Sequence, residues 1–482
     1  MERKQNPAML CDFYEMTMSR GYFEHGFSDK IVYFDLFFRQ VPDGGGFAIA
    51  AGLEQLIEYV RDLHFDEEDV AFLRAKGGFS EEFLNYLSSF RFTGDIWAVP
   101  EGTPVFPGEP VVTVRAPVME AQLMETFLLL TVNHQSLIAT KACRIVRAAA
   151  GRPVMEFGSR RAQGADGAVL GARAAYIAGC AGTACVLSDQ VFGVPSLGTM
   201  AHSWVQMFDS EYEAFHKYCE LYPNNATLLI DTYNVLKSGL PNAIRVFKEF
   251  GITKGGVRID SGDMTYLTKK VRKALDEAGL TETKIVASNS LDEWIIRDLI
   301  MQGAQIDSFG VGERLITAKS TPVFGGVYKL VAIENEDGTT TPKIKVSENV
   351  EKITTPDFKR VWRLYDRETG KNFADYLTLA TEEPDFSEPL ELFDPNATWK
   401  RQTVENYEAR ELLVPIFKGG ECVYTSPDIR AIRDYCREQV DLLWDEVKRF
   451  ENPHNYYVDL SPALWQEKRD LLVSHTSRKA EK

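Results

Sequence analysis

Between Val257 and Asp263 the chain reads Val-Arg-Ile-Asp-Ser-Gly-Asp, which crowds a guanidinium, two carboxylates and a hydroxyl around one glycine. The apolar residues Val257 and Ile259 predict a short strand, and Ser261 with Gly262 predicts the turn that ends it. Charged side chains rarely enter a buried strand without a use, and sites in α/β proteins collect where strands pass into loops. Arg258 suits phosphate oxygens, because a guanidinium offers paired donors. Asp260 and Asp263 suit ribose hydroxyls or magnesium, which takes hard oxygen ligands. A plain strand-to-helix turn, with Asp263 or Thr265 capping the helix, accounts for the same residues.

Other apolar runs end in the same polar or glycine-rich way: Glu156-Phe157-Gly158-Ser159-Arg160-Arg161, Asp231-Thr232-Tyr233, Ser288-Asn289-Ser290 and Gly310-Val311-Gly312-Glu313-Arg314. Gly310 and Gly312 let backbone N–H groups approach a phosphate, and Ser288 and Asn289 add hydrogen bonds. Neither the Walker sequence nor the dinucleotide fingerprint is present, so a tight turn is the plain alternative. Arg160, Arg161 and Arg258 each read singly as surface salt bridges; together at strand ends they point to an anion. His202, in Gly198-Thr199-Met200-Ala201-His202-Ser203, stands just before a helical segment, where free N–H groups favour a phosphoryl group and an imidazole can act as nucleophile. A core hydrogen-bonding role explains a lone histidine equally well. Tyr14, within the helix-like stretch Ala8 to Arg20, reads on its own as a core aromatic.

The elements that must position these groups follow from periodicity. Strands are predicted at Val154 to Phe157, Thr183 to Leu187, Thr227 to Ile230, Val257 to Ile259, Lys284 to Ala287, Gln305 to Phe309 and Gly326 to Ala332. Helices fit between most of them: Ala165 to Ile177, Trp204 to Tyr218, Asn242 to Phe250, Tyr266 to Ala278 and Asp292 to Met301. Such alternation predicts parallel βα units, and their number favours a barrel over an open sheet. If the strands are parallel, all the polar exits face one site. Ahead of this series lie a strand at Ile31 to Arg39, the turn Gly44-Gly45-Gly46, a helix within Ala48 to Leu63 and short antiparallel pieces from Phe90 to Arg115. Pro117 opens a long helical region to Ala150. Lys343 to Tyr376 is extended, Thr381 to Gln402 is proline- and acid-rich, and Asp428 to Arg449 is helical before a tail with loose final residues. The expected domains are an N-terminal α+β domain at 1–116, an α/β barrel at 117–340 and a C-terminal extension at 341–482 packed on the barrel.

With 54 Lys and Arg against 70 Asp and Glu, the net charge of −16 argues against nucleic acid and anionic membrane as partners. The seven cysteines are scattered without metal-site or disulfide-framework spacing, which predicts reduced thiols in a cytosol. No signal-peptide core follows the polar start Met-Glu-Arg-Lys-Gln-Asn-Pro, and the apolar run Ala121 to Val146 carries too many polar residues to span a membrane. A cytoplasmic enzyme is the expectation.

The segments Asp12-Phe13-Tyr14, Glu156 to Arg161, Gly198 to Ser203, Arg258 to Asp263 and Phe309 to Gly312, followed by Gly325-Gly326-Val327-Tyr328-Lys329-Leu330, together resemble nicotinate phosphoribosyltransferase across about residues 8 to 335. That resemblance implies a type II phosphoribosyltransferase: an irregular, incomplete α/β barrel with a flanking N-terminal domain and a C-terminal extension. It implies synthesis of nicotinate mononucleotide and pyrophosphate from nicotinate and 5-phosphoribosyl 1-pyrophosphate, coupled to ATP hydrolysis with Mg2+, in NAD salvage, by a homodimer with active sites near the subunit interface. On the same grounds His202 matches a histidine phosphorylated from ATP. Tyr14 and Phe157 match aromatics that sandwich the pyridine ring, Tyr14 reaching across the dimer, and Arg160 matches an arginine on the base or phosphate side. Arg258 and Asp260 match residues around the phosphoribosyl group, with Arg161, Ser261 and Asp263 beside them. Ser288, Asn289, Gly310 and Gly312 match the region holding the 5′-phosphate, and Asp260 or Asp263 is the candidate magnesium ligand. Gly182-Thr183-Ala184-Cys185 departs from the family's Thr-Ser-Asn, which puts that pair's polar contacts in doubt. The rival readings are a nicotinamide phosphoribosyltransferase and a non-catalytic, nucleotide-binding regulatory barrel; a glycosidase lacks two placed carboxylates.

Overall fold

A computed structural model describes residues 7–349 and 352–477. The polar start of the chain, two positions within Lys343 to Tyr376 and the end of the tail lie outside them. The chain divides into two compact units, the first made of Met1–Ser136, Val323–Asp428 and Asp434–Lys482, the second of Leu137–Pro322 and Ile429–Arg433.

The first unit is built on a seven-stranded sheet in the order Thr340–Pro342, Val327–Glu334, Ile31–Phe37, Val112–Pro117, Asp95–Ala98, Val414–Lys418 and Glu421–Cys422, paired antiparallel throughout. Ile31–Phe37, Ile-Val-Tyr-Phe-Asp-Leu-Phe, has the β-branched and aromatic content of a buried strand. Its one charge, Asp35, is buried against Lys359 Nζ at 2.8 Å and accepts the Thr113 hydroxyl at 2.7 Å. A four-stranded sheet in the order Tyr407–Glu411, Lys359–Asp366, Asn372–Leu379 and Tyr457–Leu460 completes this unit's β-structure with two strand pairs, Leu390–Phe393 with Arg401–Val404 and Ala48–Ile49 with Pro104–Val105.

Two expectations are corrected here. The strand at Gly326 to Ala332 does not continue the parallel series: Val327–Glu334 pairs antiparallel with Ile31–Phe37. Only the helical turn Glu313–Ile316 precedes it, too little for a crossover back into a parallel sheet. The two compact units part after Ser136 and Pro322. In the C-terminal segment, strand Val414–Lys418 hydrogen-bonds to Asp95–Ala98. The long helical region also breaks, into Val118–Leu123 and Glu125–Ala148.

The second unit holds six parallel strands: β1 (Val154–Glu156), β2 (Gly182–Thr183), β3 (Thr227–Leu229), β4 (Gly256–Ile259), β5 (Lys284–Ala287) and β6 (Ser308–Val311). They lie in the order β2-β1-β6-β5-β4-β3. The chain-consecutive β2 and β3 are therefore the two edges, which is the signature of a barrel that does not close. Helices Ala165–Ile177, Leu240–Phe250, Met264–Glu277 and Glu293–Met301 supply the crossovers that parallel strands need. Two predicted elements come out shorter. β2 is only Gly182–Thr183, with helix Val186–Phe192 taking up the rest, and the span Trp204 to Tyr218 is two helices, His202–Gln206 and Glu211–Leu221, the second capped by Ser210.

β3 is gripped from behind. Between it and helix Leu240–Phe250 the chain makes the wide helical turn Val235–Gly239, and a Cβ at Gly239 would run into the carbonyl oxygen of Ile230. Only glycine lets that turn lie so close to the strand end. Among the described residues no helix is long and apolar enough to cross a membrane.

Candidate active site

The strand exits of the second unit converge on Arg258. Its neighbours Val257 and Ile259 are fully buried, so alternation along β4 sends Arg258 to the other face. There its Nε donates to Ser288 Oγ at 2.7 Å, its Nη2 to Asp260 Oδ1 at 3.0 Å, and its Nη1 to Thr199 Oγ1 at 3.1 Å and the Met200 carbonyl at 3.4 Å. Ser288, buried at the end of β5, donates to the same Asp260 oxygen at 2.5 Å. One guanidinium thus ties together the exits of β4 and β5 and the segment leading to His202. Charge-assisted bonds of this kind fix geometry as well as adding energy.

Phe157, just past β1, lies with its ring centroid 5.7 Å from the Arg258 guanidinium. A Cβ at Gly310 on β6 would sit 2.5 Å from the Phe157 ring and 3.2 Å from Ser288 Cβ, so Gly310 is the space the ring occupies. A Cβ at Gly312 would meet the Phe157 carbonyl at 3.2 Å. Glu156, wholly buried, accepts the Thr183 hydroxyl at 2.6 Å and the Gly158 N–H; burial raises its carboxyl above the ordinary range against those two bonds. Thr183 Oγ1 in turn accepts the Cys185 N–H at 3.0 Å. The Gly182 to Cys185 turn is thus held through Glu156 and Thr183.

His202 begins helix His202–Gln206, with Nδ1 3.2 Å from Thr232 Oγ1 and Nε2 3.9 Å from Asp260 Oδ2. Asp231, beside Thr232 at the end of β3, accepts the Asp260 N–H at 3.0 Å and the Ser261 hydroxyl at 2.6 Å through Oδ2. Its Oδ1 is buried without a hydrogen-bond partner. Such an orphan in a native fold calls for an explanation, and a bound cation is one.

The remaining candidates are placed as follows. Asp263 caps helix Met264–Glu277, accepting the Tyr266 N–H at 2.8 Å. Asn289 is exposed, and the next residue, Ser290, sits in the left-handed region at φ 46°, strain that often accompanies function. Arg160 and Arg161 are exposed in the turn Ser159–Arg161. Lys319, with further help from Arg161 and Arg314, holds the Glu313 carboxyl below its usual range. Tyr14 belongs to the first unit, on helix Phe13–Glu24; partial burial, then the charge and hydrogen bond of Glu125, raise its hydroxyl above the ordinary value. Of the residues expected from sequence, Phe157, His202, Arg258, Asp260, Ser261, Ser288, Gly310 and Gly312 therefore fall into one connected set. Sequence reasoning placed Asp231, Thr232 and Glu156 among the polar strand exits and Thr199 in the Gly198 to Ser203 motif, but gave none of the four a role of its own. Each is a polar residue at or near a strand exit, but its role lies in a partner distant in sequence.

Models of three parts of one family match this chain: the nicotinate phosphoribosyltransferase N-terminal domain at residues 9–133, the nicotinate phosphoribosyltransferase family at 153–373, and the C-terminal domain at 358–468. The chain is 44% identical over 473 residues to nicotinate phosphoribosyltransferase of Bacillus subtilis, covering 98% of this chain and 96% of that protein. It is 40% identical over 479 residues to nicotinate phosphoribosyltransferase pncB2 of Mycobacterium tuberculosis, with the same coverage of each. Among solved structures, human nicotinic acid phosphoribosyltransferase superposes with a TM-score of 0.83 at 29% identity, covering 96% of this chain and 99% of that one. Models of the family that together span most of the chain, and relatives matched over almost their whole length, lead to one conclusion: this chain belongs to the nicotinate phosphoribosyltransferase family.

Proposed function

We propose that this chain makes nicotinate mononucleotide and pyrophosphate from nicotinate and 5-phosphoribosyl 1-pyrophosphate, with ATP hydrolysis coupled through phosphorylation of His202, in NAD salvage. The observation that carries the reading is the Arg258, Ser288 and Asp260 cluster set opposite the His202 imidazole. The pyridine nitrogen of nicotinate attacks the anomeric carbon with its own lone pair, and pyrophosphate leaves as positive charge grows on the ribose. No catalytic base is needed; the protein's work is to position two substrates and to stabilise the departing anion.

Phe157 offers one face for the pyridine ring, with Gly310 supplying the room. Tyr14 offers the other, from the second copy of a homodimer. Arg160 pairs with the nicotinate carboxylate or a phosphate, and Arg161 extends positive charge along the rim. Arg258 and Asp260 hold the phosphoribosyl group, and the backbone at Gly310 and Gly312 with Ser288 and Asn289 receives the 5′-phosphate. Magnesium takes hard oxygens and keeps much of its shell for phosphate and water, so two carboxylates suffice. Asp260 Oδ2 and the unpartnered Asp231 Oδ1 fit it; Asp263, spent on a helix cap, fits it less well. The ion, when bound, neutralises charge on the leaving pyrophosphate. His202 Nε2 takes the γ-phosphoryl group of ATP and loses it to water after transfer, which draws turnover towards product.

Turnover of nicotinate and nicotinamide should be compared at equal 5-phosphoribosyl 1-pyrophosphate, with pyrophosphate as the readout. Nicotinate should be preferred by roughly a hundredfold or more, because a site built for an anion leaves its cations unpaired with the neutral amide. Preference for nicotinamide would assign the rival transferase, and no pyrophosphate with either base would assign a regulatory barrel. His202→Ala should abolish protein-bound label from γ-labelled ATP and leave some uncoupled transfer. Undiminished label on that variant would remove His202 from the scheme.

A further inference from the structure

We propose that Thr232 is the residue that presents His202 for phosphorylation, by fixing the imidazole through Nδ1 so that Nε2 is left as the nucleophile. The inference rests on the reading above and adds a residue to it. A phosphoryl acceptor must be a neutral imidazole with its lone pair on the attacking nitrogen, which places the proton on the other. Among the described residues, one polar group faces each ring nitrogen. Asp260 Oδ2 at 3.9 Å from Nε2 is beyond hydrogen-bond distance, and Thr232 Oγ1 at 3.2 Å from Nδ1 is within it. A carboxylate can only accept, so a closer Asp260 would draw a proton onto Nε2 and block attack. A threonine hydroxyl both donates and accepts, so it can take the Nδ1–H that the reactive tautomer requires.

The proton and electron balance supports the same assignment. Nε2 gives its lone pair to the γ-phosphorus, the bond from that phosphorus to the bridging oxygen breaks, and ADP leaves with the electron pair. The ring then carries the phosphoryl group on Nε2 and keeps its proton on Nδ1, with positive charge spread over the imidazole. Thr232 Oγ1 accepts that N–H before and after transfer, and more strongly once the ring is cationic.

The strand exit places both sides of the gap. Asp231 holds the Asp260 to Ser261 turn through one carboxylate oxygen, while its neighbour Thr232 holds His202. Ile230, immediately before them, donates its N–H to the Arg258 carbonyl at 3.1 Å, which locks β3 to β4 at this level. The separation of nucleophile and carboxylate is therefore set by two consecutive residues.

The test compares Thr232→Val, which keeps the shape and removes the hydroxyl, with Thr232→Ser, which restores it. Labelling from γ-labelled ATP should slow by about 10- to 100-fold in Thr232→Val, the scale of one lost hydrogen bond to a charged group, and return to within about threefold of wild type in Thr232→Ser. The ATP-coupled rate should fall much further than the uncoupled rate in Thr232→Val. The 15N spectrum of His202 should show the Nδ1-protonated tautomer in wild type and Thr232→Ser, and a mixture in Thr232→Val. Labelling of Thr232→Val at the wild-type rate overturns this inference alone. Equal losses of coupled and uncoupled rates in both variants also overturn it, by pointing to a general structural role. A wild-type protein that takes no label on His202 overturns the parent reading and this one with it.

Discussion

Arg258 shows how much one side chain can be asked to hold. Its planar fork reaches a serine, an aspartate and a threonine at the same time, which an ammonium cannot copy. Arg258→Lys should therefore lower kcat/KM for 5-phosphoribosyl 1-pyrophosphate by roughly 10- to 100-fold although the charge is kept, as steady-state kinetics would measure. Asp263 shows the opposite case. Sequence left it between helix cap and magnesium ligand, and the bond to the Tyr266 N–H favours the cap. Asp263→Ala should cost about 1 kcal/mol of stability in denaturant unfolding while Asp263→Ser costs less. A changed magnesium requirement in Asp263→Ala would favour the ligand reading. Arg258 and Asp260 stood out in the sequence because charge in an apolar strand is anomalous. Asp231 and Thr232 were visible only as one polar strand exit among several, because polar residues at a strand end are ordinary and only the folded chain shows whom they hold.

At the scale of elements, glycine decides where the Phe157 ring can stand. β6 passes close enough to Phe157 that a methyl group at position 310 would press into the aromatic ring. Gly310→Ala should raise KM for nicotinate by roughly tenfold, with a smaller effect on KM for 5-phosphoribosyl 1-pyrophosphate, because the ring must give way before the sugar site does. Most of the parallel strands were legible as compact runs bounded by turn residues, while β2, only Gly182–Thr183, was expected longer. The strand at Val327–Glu334 was mistaken for a seventh because its residues look alike whether the partner is parallel or antiparallel. What separates the two cases is the connection, and the short helix Glu313–Ile316 was the available sign.

For the whole molecule, sequence conveyed the α/β class. The first unit gathers strands from both ends of the chain, and such pairings leave no local trace. That unit also buries groups that titrate near neutrality. Asp459 is pushed up to about 7 by burial and then by Asp394, and Glu467 to about 7 by burial and Asp357, with Lys359 opposing. Lys468 is pushed down to about 8 by burial and then by Lys359. For the raised acids the folded state keeps protons that the unfolded chain has released, so their contribution to stability declines as pH rises from about 4 to about 7. For the lowered lysine the unfolded chain binds the extra proton, so stability recovers as pH rises from about 8 towards about 10.5. Asp459→Asn should accordingly raise the unfolding midpoint at pH 8, with the gain shrinking as pH falls to 4, as thermal melts across that range would register.

The bare α-carbon of Gly239 has a reach well beyond its own turn. It allows the chain to rest on Ile230, one residue ahead of the pair that governs the imidazole and the opposing carboxylate. The placement of the His202 imidazole thus rests in part on a backbone contact at the end of β3. On the proposed mechanism, Gly239→Ala should therefore weaken ATP-coupled turnover more than substrate binding, as the two rates measured side by side would show.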